Sequence, residues 1–201
     1  MGELARTGRL AGVVAVLVAA AGIAGAALAS PAFTVTGNAL SDLGQPGNPV
    51  ATPLTTLLFD GGLVLSGVVG LPFAAVLWRE SEHRLGRVAA VPFAVALLGM
   101  AGVGLFPAGR PLHAPAALTL YLASMVAMTV HGVGTALAGL RRRAAVTLSL
   151  VAVHVGGWWA WAAGGPVLRP GLALPELLGA GIFAAWVVLT AAQGSPVRPD
   201  G

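Results

Sequence analysis

The sequence predicts an all-α fold: a polytopic transmembrane bundle of six helices, with both termini cytoplasmic. Three observations predict it. Of 201 residues, 57% are hydrophobic and only 9% are charged, whereas soluble domains usually carry about 25% charged residues. So few charges could not cover the surface of a water-soluble fold, and the bilayer is the solvent for the remaining apolar area. The apolar residues also fall into six runs of roughly 19–27 residues, each long enough to span. Finally, every basic residue is Arg, and the arginines lie between the apolar runs. Six crossings put Arg6, Arg9, Arg79, Arg84, Arg87, Arg141, Arg142, Arg143 and Arg198 on one side and only Arg110 and Arg169 on the other. By the positive-inside rule the first side is cytoplasmic, and a multi-pass cell-membrane protein follows. The net charge of +4 therefore reads as a topology signal, with no nucleic acid as partner. Cysteine is absent, which excludes disulfides and thiolate metal sites.

The first helix is expected over residues 10–29, after Arg6 and Arg9. Ala27-Leu28-Ala29 has the small-x-small form of a signal-peptide cleavage site, but the run exceeds the usual 7–15-residue signal core, and the reading is a retained helix. Residues 30–52 form a loop rich in Pro, Gly, Asn and Ser, with turn signals at Thr36-Gly37-Asn38 and Gln45-Pro46-Gly47-Asn48-Pro49. The second helix covers 53–78. Pro53 suits a helix start, and Pro72 should kink the helix or depend on neighbours. Gly62, Ser66 and Gly70 make one small face, suited to packing within the bundle or to a homo-oligomer contact. The third helix, 88–106, ends at Phe106-Pro107. The fourth covers 114–140 and ends at the Arg141-Arg142-Arg143 run. The fifth, 144–163, carries Trp158, Trp159 and Trp161 at its far end as an aromatic belt. A turn at Gly164-Gly165-Pro166 leads to the sixth helix, 173–193. Residues 1–193 form one domain, followed by a disordered tail over 194–201.

Depth along the helices can be counted at about 1.5 Å per residue from the arginine-marked ends. Asp60 then lies about 28 Å above Arg79, Phe106 about 28 Å above Arg87, and Glu176 about 25 Å above Gln193. Loop residues Ser41, Asp42 and His113 sit just above this level. Ser41, Asp42, Asp60, Phe106, His113 and Glu176 are therefore the candidate lining of a polar pocket at the outer face. Each acid also has a plainer reading. Asp60, which a pocket would keep protonated or paired with His113 or Arg110, can instead snorkel upward or cap a loop amide; Asp42 forms a turn; and Glu176, after Pro175, favours the first-turn dipole. A second candidate set is His131 and His154. His131 lies 11 residues before Arg142 and His154 lies 12 after it, so a hairpin of helices four and five sets the two rings level near mid-membrane. Each lies on a polar stripe, Tyr121-Ser124-Met128-His131-Thr135 and Thr147-His154-Trp158-Trp161. A proton relay or part of a metal site is the functional reading, and neutral histidines bonded across two helices the favoured plain one. Two histidines without a third ligand do not complete a catalytic zinc site.

Taken together, these residues resemble a known family. Ser41-Asp42-Leu43-Gly44 follows the first helix, Phe59-Asp60 opens the second, Gly104-x-Phe106-Pro107 closes the third, and His113-Ala114 and Pro175-Glu176 begin the fourth and sixth. In that order and spacing they resemble the prokaryotic membrane family called domain of unknown function 998, over most of the chain. A fainter similarity, in the Ser-Asp-x-Gly loop, is to Frag-type and autophagy-modulator membrane proteins. The family more usually has Phe-Asn at the position of Phe59-Asp60, and often a basic residue where this chain has Leu177. The resemblance implies a multi-pass helical bundle and no established activity. His131 and His154 are not among the family-like positions.

No metalloprotease, nucleophile-elbow or phosphate-loop motif is present, and no cofactor or resident metal is expected. The expected function is a non-enzymatic membrane protein that binds a lipid, a small ligand or a partner in its outer pocket. The alternatives are a membrane-embedded metal-dependent hydrolase or lipid-modifying enzyme using Asp42, His113 and Glu176, and a proton-coupled transporter using Asp60, His131 and His154.

Overall fold

Each apolar run folds as a helix because, in lipid, a backbone amide or carbonyl must be satisfied within its own segment. The computed structural model describes residues 2–164 and 171–193. Its six helices long and apolar enough to cross a membrane are α1 Gly2–Ala29, α2 Pro53–Glu80, α3 Arg84–Leu105, α4 His113–Leu137, α5 Arg141–Ala163 and α6 Ala173–Gln193. No strand occurs among the described residues. The turn expected at Gly165-Pro166, the positions of Arg169 and Arg198, and the tail over 194–201 lie outside them.

Helices adjacent in the chain pack side by side, and α6 returns to α1, closing a ring. The ends of α1 and α2 are tied by Arg9, whose Nη2 and Nε donate to Glu80 Oε2 at 2.6 and 3.1 Å. Arg143 Nη2 donates to the Gln193 carbonyl at 3.4 Å. These contacts gather the N-terminal end of α1, the loop after α2, the start of α5 and the end of α6 at one arginine-rich end. Residues 30–52 lie at the other.

The helix ends differ from the expected bounds for local reasons. α1 begins at Gly2 rather than residue 10, since Glu3-Leu4-Ala5-Arg6 are good helix formers. α3 begins at Arg84 rather than residue 88 because His83 caps it, its Nδ1 accepting from the Leu85 amide at 3.1 Å. α4 ends at Leu137, short of residue 140. Gly139 takes φ +83 there, a conformation glycine adopts without steric cost, and the chain turns directly into α5 at Arg141.

Two irregularities shape α2. A π turn over Leu57–Gly61 inserts an extra residue and turns both Phe59 and Asp60 inward, to 4% and 8% exposure. At Pro72 the helix tightens. Leu71, Phe73 and Ala74 donate to Val68, Gly70 and Leu71 at 3.0–3.2 Å, the i→i+3 pattern of a 3-10 turn, which accommodates the missing proline donor.

The small face of α2 is used inside the bundle. Gly22 of α1 lies against the Leu58 carbonyl and Gly62, and Ser66 Oγ donates to the Ala15 carbonyl at 2.7 Å. Gly70 abuts Leu97 and Ala15. Without a hydrophobic drive between helices in lipid, such close backbone approach and dispersion contact hold membrane helices together. An aromatic cluster fills the arginine-side half of the interior. Phe73 meets Phe93 edge-on with centroids 5.5 Å apart, and Phe183 stacks on Trp186 at 5.9 Å.

Candidate functional site

The 30–52 segment, called the strap here, is closed on itself and fastened at both ends. Ser30 Oγ donates to the Val50 carbonyl at 2.8 Å, joining its two feet. At α2, Thr52 and Thr55 cap reciprocally. Thr52 Oγ1 accepts from the Thr55 amide at 3.1 Å, and Thr55 Oγ1 accepts from the Thr52 amide at 2.8 Å. Thr55 Oγ1 also lies 2.8 Å from the Leu43 carbonyl, to which it donates. The strap therefore folds down onto the start of α2.

Its middle is fastened to α6. The Gly171 amide donates to the Thr36 carbonyl at 2.6 Å and the Ala173 amide to the Asn38 carbonyl at 2.9 Å. Glu176, in the first turn of α6, accepts the Leu40 amide on Oε2 at 2.6 Å. Gly171 lies directly on the Asn38 backbone, where a Cβ would overlap it. Residues 40–44 form a 3-10 turn, Leu40–Gly44. Asp42 supports this turn: its Oδ2 accepts from the Ala39 amide at 2.9 Å and from Asn38 Nδ2 at 3.3 Å. Asp42 thus takes the turn role that its sequence context allowed.

Asp60 sits under Gly44. A Cβ on Gly44 would overlap the Asp60 carboxyl, and one on Gly104 would overlap the Asp60 backbone carbonyl. The residue is wedged between the strap and α3, and its carboxyl makes no hydrogen bond among the described residues. His113 Nδ1 lies 2.8 Å from the Phe106 carbonyl. A carbonyl only accepts, so Nδ1 carries a proton and donates it to this bond. This bond closes the 106–113 connector, and Phe106 contributes its carbonyl rather than its ring.

Beneath the strap is a cavity of about 350 Å³, within the usual range of ligand pockets. Ser41, His113 and Glu176 line it; Asp42, Asp60 and Phe106 do not. Its walls come from α1, α2, α3, α4 and α6, and α5 adds none. The lining is overwhelmingly apolar. Phe93 and Phe183 reach it at the aromatic end. Along α1 it runs from Gly12 to Ala27, about 22 Å at the helical rise. Along α6 it runs from Glu176 to Val187, about 16 Å. The expected polar pocket is thus, in this structure, the polar mouth of a long apolar chamber.

The two histidines part company. His154, fully buried, packs edge-on against Tyr121 with centroids 6.1 Å apart, and its Nε2 faces Gly179. His131 packs edge-on against Trp186 at 5.5 Å. Gly179 and Trp186 are seven residues apart on α6, about 10 Å in depth. The rings are therefore not level. The depth count centred the hairpin on Arg142, whereas the chain reverses at Gly139. No hydrogen bond joins the rings; among the described residues His131 Nδ1 and both His154 nitrogens have no hydrogen-bond partner. Among the described residues, no three His, Asp or Glu side chains gather as a metal site.

Tyr121 is a site residue that the sequence did not single out. Its hydroxyl donates to the Glu176 carbonyl at 3.4 Å, and its ring lines the cavity beside Gly179. As the only tyrosine of the chain, on a stripe with Ser124 and Met128, it carried a signal of its own. The apolar walls carried none, because alanines and glycines on α1 and α6 read equally as helix-packing residues.

A family model for proteins of unknown function, DUF998, matches residues 13–193. The chain belongs to this family. The match spans all six helices of the DUF998 bundle and the strap, which lies between the first two. No curated protein and no solved structure matches the chain, and the comparisons do not show the fainter likeness to Frag-type proteins.

Proposed function

We propose that this DUF998 protein is a non-enzymatic lipid-binding protein of the cell membrane. One amphiphile sits in the chamber, with its tail among α1, α2, α3, α4 and α6 and its headgroup under the strap. The observation that carries this reading is the shape and chemistry of the cavity. It is long and apolar, about 16–22 Å of a hydrocarbon core of about 30 Å, and Ser41, His113 and Glu176 gather at one end. In lipid an alkyl chain gains nothing by leaving water, so dispersion contact with the fitted walls supplies the affinity.

Two features weigh against the enzyme alternative. Asp42 is committed to its own turn, and the serines on the cavity wall of α2 and α4, Ser66 and Ser124, both donate to backbone carbonyls rather than to a base. The separation of His131 from His154 weighs against a proton relay through that pair. The arginine-rich end is cytoplasmic in this reading, so the strap and chamber mouth face outward.

Native mass spectrometry of protein released from native membranes tests the binding. The expected result is a one-to-one lipid adduct that persists when bulk detergent is stripped, and that is lost in Leu97→Trp or Ala117→Trp, which fill the chamber. No adduct, or an adduct unchanged by both fillings, defeats the reading. A reporter fused after Arg142 should read cytoplasmic.

A further inference from the structure

The chamber is not sealed on the membrane side. Ala20 and Ala24 of α1 and Leu177 and Gly181 of α6 line it and are also exposed on the outer surface of the bundle. A residue can do both only where the wall is open, and all four lie on the two helices that close the ring. Gly181 marks the gap most plainly, for a Cβ there would meet nothing within 4 Å. On the arginine side of the gap, Val13 and Val16 of α1 pack onto the core cluster that contains Phe183 and Val187, so the opening is confined to the half nearer the strap. Above it, the strap is fastened to α6 by three backbone amides. The gap therefore faces hydrocarbon, with a floor and a roof.

The roof end has a definite chemistry. The polar groups there are Ser41, His113, Tyr121 and Glu176. Glu176 uses Oε2 for the Leu40 amide, and Oε1 carries no hydrogen bond among the described residues. His113 commits its Nδ1 proton to the Phe106 carbonyl. Among the described residues no arginine lines the chamber; Arg110 lies exposed in the connector outside it. A carboxyl with a free oxygen, and no arginine among the described lining residues, suit a headgroup that donates hydrogen bonds and disfavour an anion.

We infer that the gap between α1 and α6 is a lateral portal from the strap-side leaflet. The lipid it admits is a single-chain amphiphile whose headgroup is a donor, a hydroxyl or an ammonium, and not a phosphate. This rests on the chamber being a lipid site.

The experiment uses the full chain in lipid nanodiscs. The probes are three photoreactive alkyl chains of one length, ending in a hydroxyl, an ammonium or a phosphate. Cross-linked peptides are read by mass spectrometry. Chamber residues such as Leu120 and Ala184 should be labelled about ten-fold more by the hydroxyl and ammonium probes than by the phosphate, like charges being costly beside Glu176. A stronger ammonium than hydroxyl signal that vanishes in Glu176→Gln assigns the natural headgroup as cationic. Equal signals assign it as a hydroxyl. Gln still accepts the Leu40 amide, so the strap stays fastened in this variant, and the phosphate should then label to within about two-fold of the others once the carboxylate is gone.

Gly181→Trp and, independently, Ala24→Phe should each cut chamber labelling about ten-fold by obstructing the gap. Gly156→Trp, on exposed open space of α5, should not. Phosphate labelling equal to the other two in the unaltered protein overturns the headgroup assignment but leaves the chamber. Full labelling in both portal variants overturns the portal. Absence of chamber labelling by all three probes instead overturns the lipid site itself.

Discussion

Removing the Glu176 carboxyl tests how the strap is held. The Leu40 amide is buried, the residue being 4% exposed, and it donates to Oε2 at 2.6 Å. In Glu176→Ala the Leu40 amide loses this acceptor. Hydrogen bonds to charged groups contribute about 1.5–3 kcal/mol, and stranding a buried donor costs about 1–3 kcal/mol. The loss should be local, because the amides of Gly171 and Ala173 still bond to Thr36 and Asn38. Opening of the strap around Leu40 becomes easier by roughly 1.5–3 kcal/mol, and at 1.4 kcal/mol per factor of ten its amide should exchange about 10–100 times faster. Hydrogen-exchange mass spectrometry in nanodiscs, on peptides spanning 38–44, reads this directly. Glu176→Gln keeps an acceptor oxygen and should retain most of the protection, while peptides within α3 should not change in either variant. Unchanged exchange at Leu40 in Glu176→Ala would refute the claim that this carboxyl pins the strap.

Gly44→Ala drives a methyl into the Asp60 carboxyl and should lower stability by about 1–3 kcal/mol. Asp60→Ala removes the obstacle, so thermal unfolding of the double variant should show clearly less than the sum of the single losses; strict additivity would argue against the contact. Ser66→Ala removes the bond to the Ala15 carbonyl and should cost only about 0.6 kcal/mol, the average for membrane hydrogen bonds, a change in unfolding midpoint measurable in mild detergent. Glu80→Gln breaks the Arg9 pair, whose side chains are 29% and 21% exposed. Its effect should be under about 1 kcal/mol and shrink further in high salt.

The strap shows how far residue order reaches. Its turn residues, Asp42 and the acid at the start of α6 could each be read from the chain, and the depth count put them at one level. What brings them together, besides the Glu176 carboxyl on the Leu40 amide, is backbone hydrogen bonding of Thr36 and Asn38 to the start of α6, and backbone groups leave no mark in a side-chain pattern. Asp60 was legible as an unusual acid near a membrane surface. Its inward turn comes from a π turn, and no residue of Leu57–Gly61 announces that extra amide. For His131 and His154 the count failed by the distance between Arg142 and Gly139, because the positive-φ glycine, rather than the arginine cluster, is where the backbone reverses.

By itself the sequence determined that this chain lives in a bilayer, that it crosses it with six helices, and that its family-like residues lie toward one end. Those properties follow from local quantities: apolar run length, arginine placement and turn chemistry. Only the tertiary structure decided that the interior beneath the strap is hollow and apolar, with Tyr121 on its wall and Glu176 at its mouth. The reason is that small residues on α1 and α6 are compatible with either tight packing or a gap, and the difference lies in how the ring of helices closes.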